Sequence, residues 1–432
     1  MDKPTEIKAC LDAAIHDVVS ARGEFAPDLS AFTRNRKLTA ETVIRLLLGM
    51  DGGSLARELH KAGIEATPSA FVQQRHKIAP SAFRDILNKF NTNCQDEKTY
   101  RGYRILAVDG TNVNLPYNPA ADSFIKVTGN PKGGYNAFHA NCLYDIQNAT
   151  YYDTVLGADE QGSLIKMLYT NRFADKTLII ADRGYESYNL IAHLYNVPNV
   201  DFLIRVKQGH AAMREIGKLP MTELDKQLAF VLTTTQTNKD KLNNWIHLPT
   251  GSKKGKTNSP NTRITRWDFP SPYLMAVRVV RFKLDTGEYE TLITSLDRSF
   301  GIDELKELYH MRWGIETSYR YLKYCIGLTN LHGKSDSFAE QEFYSALIMF
   351  NFANRISREV VIRHKQANIY EYRVNQTMAI YLCKEFFRTP NADGEKLMQE
   401  IAKYTEPVRP GRRDERSLKI KGFVPFSYRV VA

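Results

Sequence analysis

Three carboxylates are placed so that, brought together, they could cut a phosphodiester. Asp109 ends the apolar run of "YRILAVDGTNVNL", Asp182 ends that of "KTLIIADRGYES", and Glu316 lies midway along "YHMRWGIETSYRYLK". A carboxylate at the carboxyl end of a buried strand sits at the sheet edge where α/β proteins build ligand sites. Grouped carboxylates can hold two divalent cations about 4 Å apart, which clamp the attacking and leaving oxygens of an in-line phosphoryl displacement. Mg2+ takes oxygen ligands, few of them from protein, so neither His nor Cys is required, and Mn2+ suits the same donors. Each residue also has a plainer reading. Asp before Gly is a common turn former, and Arg312 with Glu316, four apart, matches an ordinary helix-surface pair worth about 0.2–0.5 kcal/mol.

The elements that must position these groups follow from hydrophobic period. On a helix, Tyr309, Arg312, Glu316, Tyr319, Arg320 and Lys323 fall within a sector of roughly 100°. Leu308, Met311, Ile315, Leu322 and Ile326 form the adjoining stripe and must face a core. Glu316 would then stand beside a sheet, flanked by cations suited to a phosphodiester. Trp313 reads as packing.

Upstream, "AFHANCLYDI" and "ATYYDTVLGA" alternate as a hairpin, "EQGSLIKMLYTNR" and "YNLIAHLYN" are helical, and "VDFLIRVK" is a strand. The order of three strands, helix, strand, helix, strand predicts a mixed sheet of ribonuclease-H-like topology. The expected organisation is a helical DNA-binding region over 1–98, the first part of an α/β core over 99–207, and a β-rich insertion over 208–288. The second part of the core, with the charged helix, covers 289–360, and a helical C-terminal region with a basic tail covers 361–432. Within 1–98, "SLARELHKAG" and "SAFVQQRHKI" around a Gly-containing turn suggest a helix-turn-helix, its second helix carrying Gln73, Gln74 and Arg75. A plain helical bundle fits the pattern equally well.

Composition narrows the function. The 432 residues are 43% hydrophobic and 25% charged, with a formal net charge of +11, a surplus that suits a polyanionic partner. No apolar run reaches the length of a membrane span, and "MDKPTEIKACLDAAIHDVV" lacks a secretory apolar core, so a cytoplasmic, nucleoid-associated setting is expected. The 5 cysteines are scattered, which predicts reduced thiols rather than disulfides or a zinc site. "GSKKGKT" falls one residue short of a P-loop and lacks a good preceding strand. Its Lys253 and Lys254 read instead as a basic loop that touches a phosphate backbone or is simply solvated.

The spacing Y-x2-R-x3-E-x6-K, met by Tyr309, Arg312, Glu316 and Lys323, resembles the signature of the large group of bacterial insertion-sequence transposases called IS-four-like. "AVDGT" and "IIADRGY" are similar to that group's first- and second-aspartate strands, and "FTRNRKLT" and "RPGRRDERSLKIKGF" to its N-terminal entry and basic ending. The resemblance implies a DDE transposase: a ribonuclease-H-like core with a β-rich insertion between the second Asp and the Glu. Asp109, Asp182 and Glu316 would be the catalytic, metal-binding triad, with Mg2+ as cofactor and Mn2+ able to substitute. Tyr309, Arg312 and Lys323 would contact DNA near the scissile phosphate, and Arg183, Tyr185 and Arg320 would assist. The partners implied are double-stranded DNA, as transposon ends and target, and a second copy of the chain in a synaptic dimer; no membrane is involved. Some members stack an insertion-domain Trp on a flipped base, and Trp245 and Trp267 both lie in the insertion, where each also reads as a core residue. Two alternatives stay open: a metal nuclease of the same fold without strand transfer, and a non-catalytic, domesticated DNA-binding relative.

Overall fold

Residues 3–93 form helices, as their apolar spacing predicts: α1 (Lys3–Ser20), α2 (Arg22–Phe25), α3 (Ala40–Gly49), α4 (Leu55–Lys61), α5 (Pro68–Arg75) and α6 (Pro80–Asn93). Thr39 caps α3 and Thr67 caps α5, each side chain accepting a backbone N–H of the first turn, with Pro68 opening α5. The structure is a computed structural model. It describes residues 2–28, 30–34, 36–94, 98–128, 132–157, 159–207, 213–249, 266–328, 331, 333–362 and 369–408. Lys253, Lys254 and the basic tail beyond 408 lie outside the described residues.

The core follows in the predicted order, with one short extra strand: β1 (Arg104–Asn114), β2 (Phe124–Lys126), β3 (Gly134–Asp145), β4 (Thr150–Leu156), α7 (Glu160–Thr170), β5 (Thr177–Ala181), α8 (Tyr188–Tyr195) and β6 (Val200–Arg205). The next segment supplies α9 (Arg214–Gly217), β7 (Leu224–Thr233), α10 (Asn238–Leu242), β8 (Ile246–His247) and β9 (Tyr273–Lys283). The chain then forms β10 (Tyr289–Thr294), α11 (Ile302–Met311), α12 (Trp313–Tyr321), a π turn over Leu322–Ile326, and α13 (Asp336–Ser357). It ends its described course with β11 (Glu371–Val374), α14 (Gln376–Arg388), α15 (Gly394–Lys403) and β12 (Thr405–Val408).

One mixed sheet runs β3-β1-β5-β6-β10-β9-β7-β8, with β2 and β4 both pairing to β3. β3 is antiparallel to β1, while β5 and β6 continue parallel to it. This is the polarity of a ribonuclease-H-like core, β4-β3-β1-β5-β6. The strand-rich segment expected to form an insertion joins that same sheet: β10 pairs antiparallel to β6, and β9 and β7 extend it outward.

Strand alternation sorts the core into two layers. Leu106 and Val108 face α7 and α8, whereas Ile105 and Ala107 face the opposite side, where α11 and a thick helical layer pack. That layer is continuous from Ile7 of α1 through Phe90 of α6, Phe350 of α13 and Phe386 of α14 to Ile401 of α15. The N- and C-terminal helices therefore share one core.

This packing decides the helix-turn-helix reading. In α5, Gln73 is exposed, but Gln74 and Arg75 are buried. Arg75 donates to Gln341 Oε1 at 2.7 Å and to the Phe338 carbonyl at 2.7 Å, and pairs with Glu342 at 2.9 Å. Two of the three side chains expected to read bases are thus turned inward, and Arg75 fastens α5 to α13.

Candidate active site

The two aspartates meet through strand register. β1 and β5 are parallel with Val108 opposite Ala181, so one residue further on Asp109 and Asp182 stand side by side at the carboxyl edge. Alternation points both toward the side covered by α11 and α12. Asp109 Oδ1 accepts from the Gly110 N–H at 2.9 Å, and Asp182 Oδ1 accepts from the Gly184 N–H at 2.8 Å.

α12 brings Glu316 to them and is tied down on β1. The Tyr319 hydroxyl donates to the Asp109 carbonyl at 2.7 Å, and Lys323 Nζ donates to Thr111 Oγ1 at 2.6 Å. Ser318 and Tyr151 share a buried hydroxyl contact of 2.9 Å on the inner side. Arg312 Nη2 donates to Glu316 Oε1 at 2.8 Å, and Nη1 lies 4.0 Å from Asp109 Oδ2. The Arg312 guanidinium also sits 5.9 Å from the Tyr309 ring centre and 5.2 Å from that of Trp313. Burial disfavours its charge, but Tyr309, Glu316 and Asp109 outweigh this and hold its pKa above the usual value.

Asp109 carries the electrostatic load of the site. Burial, with repulsion from Asp182 and Glu316, pushes its carboxyl up to about 7 against the pull of Arg312 and the Gly110 N–H. Asp182 and Glu316 thus both bear on Asp109, and the donors of all three are hard oxygens, which fits Mg2+ or Mn2+. A second sign of fit lies beneath them. Tyr185 is fully buried and its hydroxyl has no hydrogen-bond partner, while Glu160, Asp109 and Asp182 bear on it, with burial, to raise its pKa. Among the described residues no three His, Cys, Asp or Glu side chains already converge as a metal cluster; Glu316 is turned to Arg312 instead.

The remaining predicted residues separate. Arg183 is exposed beside Asp182. Tyr185 belongs to the packing under the site, not its surface. Tyr309 is also buried. Arg320 is exposed but lines a groove with Tyr324 and Arg373, away from the carboxylates. Trp313, read as packing, is 38% exposed. Trp267 packs edge-on against Phe269 and Tyr273, and Trp245 is half-buried.

Sequence reading missed His139 and Glu160. His139 lies opposite Asn112 in the β1–β3 ladder, and its Nδ1 is 2.7 Å from Asn112 Oδ1. Its Nε2 is 3.3 Å from Glu160 Oε1, in the first turn of α7. Gln161 Nε2 donates to the Gly184 carbonyl at 2.8 Å, and Asn141 Nδ2 to Ser163 Oγ at 3.0 Å, so the loop after β5 and strand β3 hold this turn at the site. No motif marks the pair, since only the packing of α7 on β3 unites them.

The transposase DDE domain family matches residues 100–352. The chain is 25% identical over 297 residues to transposase InsG for insertion sequence element IS4 of Escherichia coli (strain K12), an alignment covering 66% of this chain and 60% of that protein. The chain thus spans less than two thirds of that relative's length. It also resembles a solved piggyBac transposase synaptic complex with hairpin DNA, at a TM-score of 0.43 and 12% identity over 96% of this chain and 85% of that one. The family match runs from just before β1 into α13 and takes in both aspartates and Glu316: the chain belongs to the DDE transposase family.

Proposed function

We propose that the chain is a transposase that binds the terminal inverted repeats of an insertion sequence, cuts the DNA there, and joins the freed ends to target DNA. The observation that carries this reading is the juxtaposition of Asp109 and Asp182 across one parallel strand pair, with Glu316 held over the same edge by Arg312. Two divalent cations bound there would neutralise the phosphodiester and activate the attacking oxygen. Asp109, Asp182 and Glu316 supply the oxygen ligands. Arg312, buried and forked, orients Glu316 and faces the scissile phosphate. Lys323, anchored on Thr111, grips the backbone beside it, exposed Arg183 extends the contact, and Arg320 meets the duplex farther from the carboxylates. Tyr309 supports Arg312 from below. The two ends require synapsis, so the active species is a dimer on double-stranded DNA. Among the described residues no helix is long and apolar enough to cross a membrane.

The decisive measurement is Mg2+-dependent cleavage and joining of DNA that carries the element's terminal repeats. Glu316→Gln should abolish both steps and leave end binding intact. Unchanged cleavage by that variant would sink the assignment, and cleavage without joining would identify a nuclease.

A further inference from the structure

The glycines that follow the two strand aspartates keep space clear around one side chain that the triad does not include. A β-carbon on Gly110 would lie 2.6 Å from His139 Nε2 and 2.8 Å from Glu160 Oε1. A β-carbon on Gly184 would lie 3.0 Å from Asp182 Oδ1 and 3.2 Å from Glu160 Oε2. Asp182 and Glu160 therefore each place an oxygen within 3.2 Å of a single point. His139 Nε2 lies 3.3 Å from Oε1 of Glu160, and Oε2 is the oxygen on the Gly184 and Asp182 side.

A second observation is independent of the acidic groups. The Tyr185 ring is fully buried and its hydroxyl lacks any partner, although a buried hydroxyl left unpaired is costly and rare. The carboxylates that act on this hydroxyl are Glu160, Asp109 and Asp182, with Glu160 foremost. A donor aimed at the carboxylates from beneath finds its acceptor once a ligand draws them together.

We propose that Glu160 is a fourth metal-facing carboxylate, sharing the cation on the Asp182 side, with His139 as the residue that positions it and Tyr185 as the donor that braces it. Sharing a cation requires cation–oxygen distances near 2.1 Å, to which rotation of the Glu160 side chain would bring Oε2. The second nitrogen of His139, held on Asn112, fixes the ring that sets where Glu160 rests, as outer partners of metal ligands do. This inference rests on the metal-dependent reading of the triad given above.

The test is Mn2+ titration of the full chain followed by electron paramagnetic resonance, without DNA. Glu160→Gln should weaken Mn2+ binding roughly 10–100-fold, Glu160→Asp should restore part of it, and Tyr185→Phe should weaken it by less while preserving the fold. Wild-type Mn2+ affinity in folded Glu160→Gln, alongside loss in Asp182→Asn, would overturn the inference and spare the triad. If Glu160→Gln fails to fold, Tyr185→Phe and Glu160→Asp decide: wild-type binding by both would equally overturn it. Equal binding by wild type and Asp182→Asn would overturn both the inference and the metal-dependent reading.

Discussion

Asp109 is destabilised as an anion chiefly by burial, and Arg312, 4.0 Å away, offsets this only in part because it pairs more closely with Glu316, at 2.8 Å. A carboxyl raised to about 7 in the folded chain binds its proton more tightly than in the unfolded chain. Its contribution is therefore fully favourable below the unfolded value near 3.9 and is lost as pH rises toward 7. Without divalent cation, Asp109→Asn should melt higher than wild type at pH 8, and the difference should vanish near pH 4. Thermal scans at the two pH values would show it, and a pH-independent difference would refute the account. The aspartates themselves were legible, since each ends an apolar run. His139 and Glu160 were not, because their meeting depends on how α7 lies over β3.

The charged helix was legible as an element but not in its phase. A single uniform turn angle placed Arg320 with Lys323, yet the segment changes pitch twice. At Arg312 it tightens, with hydrogen bonds from Arg312 N to the Tyr309 carbonyl and from Ile315 N to the Arg312 carbonyl, both 3.1 Å. Over Leu322–Ile326 it widens into a π turn that ends on Gly327 at φ 99°. Lys323, inside the π turn, reaches Thr111, while Arg320, before it in α12, lines a groove with Tyr324 and Arg373. π turns of this kind recur at functional sites. Because Gly327 adopts a conformation that L side chains avoid, Gly327→Ala should cost about 1–3 kcal/mol in denaturant unfolding. Of the apolar stripe, Leu308, Ile315, Leu322 and Ile326 are buried and Met311 is half-buried. Elsewhere, Arg75→Ala would remove a buried cation together with its ion pair to Glu342 and its bonds to Gln341 and the Phe338 carbonyl, a loss of about 3–5 kcal/mol measurable by the same unfolding.

At the scale of the whole molecule, the helical layer joins chain ends that the sequence separates. A fragment of residues 1–98 should not fold alone, because α1, α3 and α6 bury their apolar faces on α13, α14 and α15; a cooperative melt of that fragment by circular dichroism would contradict this. The formal net charge of +11 predicts DNA binding that weakens linearly in log salt, and Lys323→Ala should reduce that slope by about 1. By itself the sequence determined the order of the main core strands and helices, the two strand-ending aspartates, and the offsets from Tyr309 to Lys323, because period and spacing are local properties; it missed β2 and the β11–β12 pair within the region read as helical. Only the tertiary structure decided that the β-rich segment extends the core sheet, that Arg75 is a buried fastener, and that Glu160 and His139 stand beside the triad. Those outcomes depend on strand pairing and helix docking between residues far apart in the chain, where burial and partner geometry outweigh local preference.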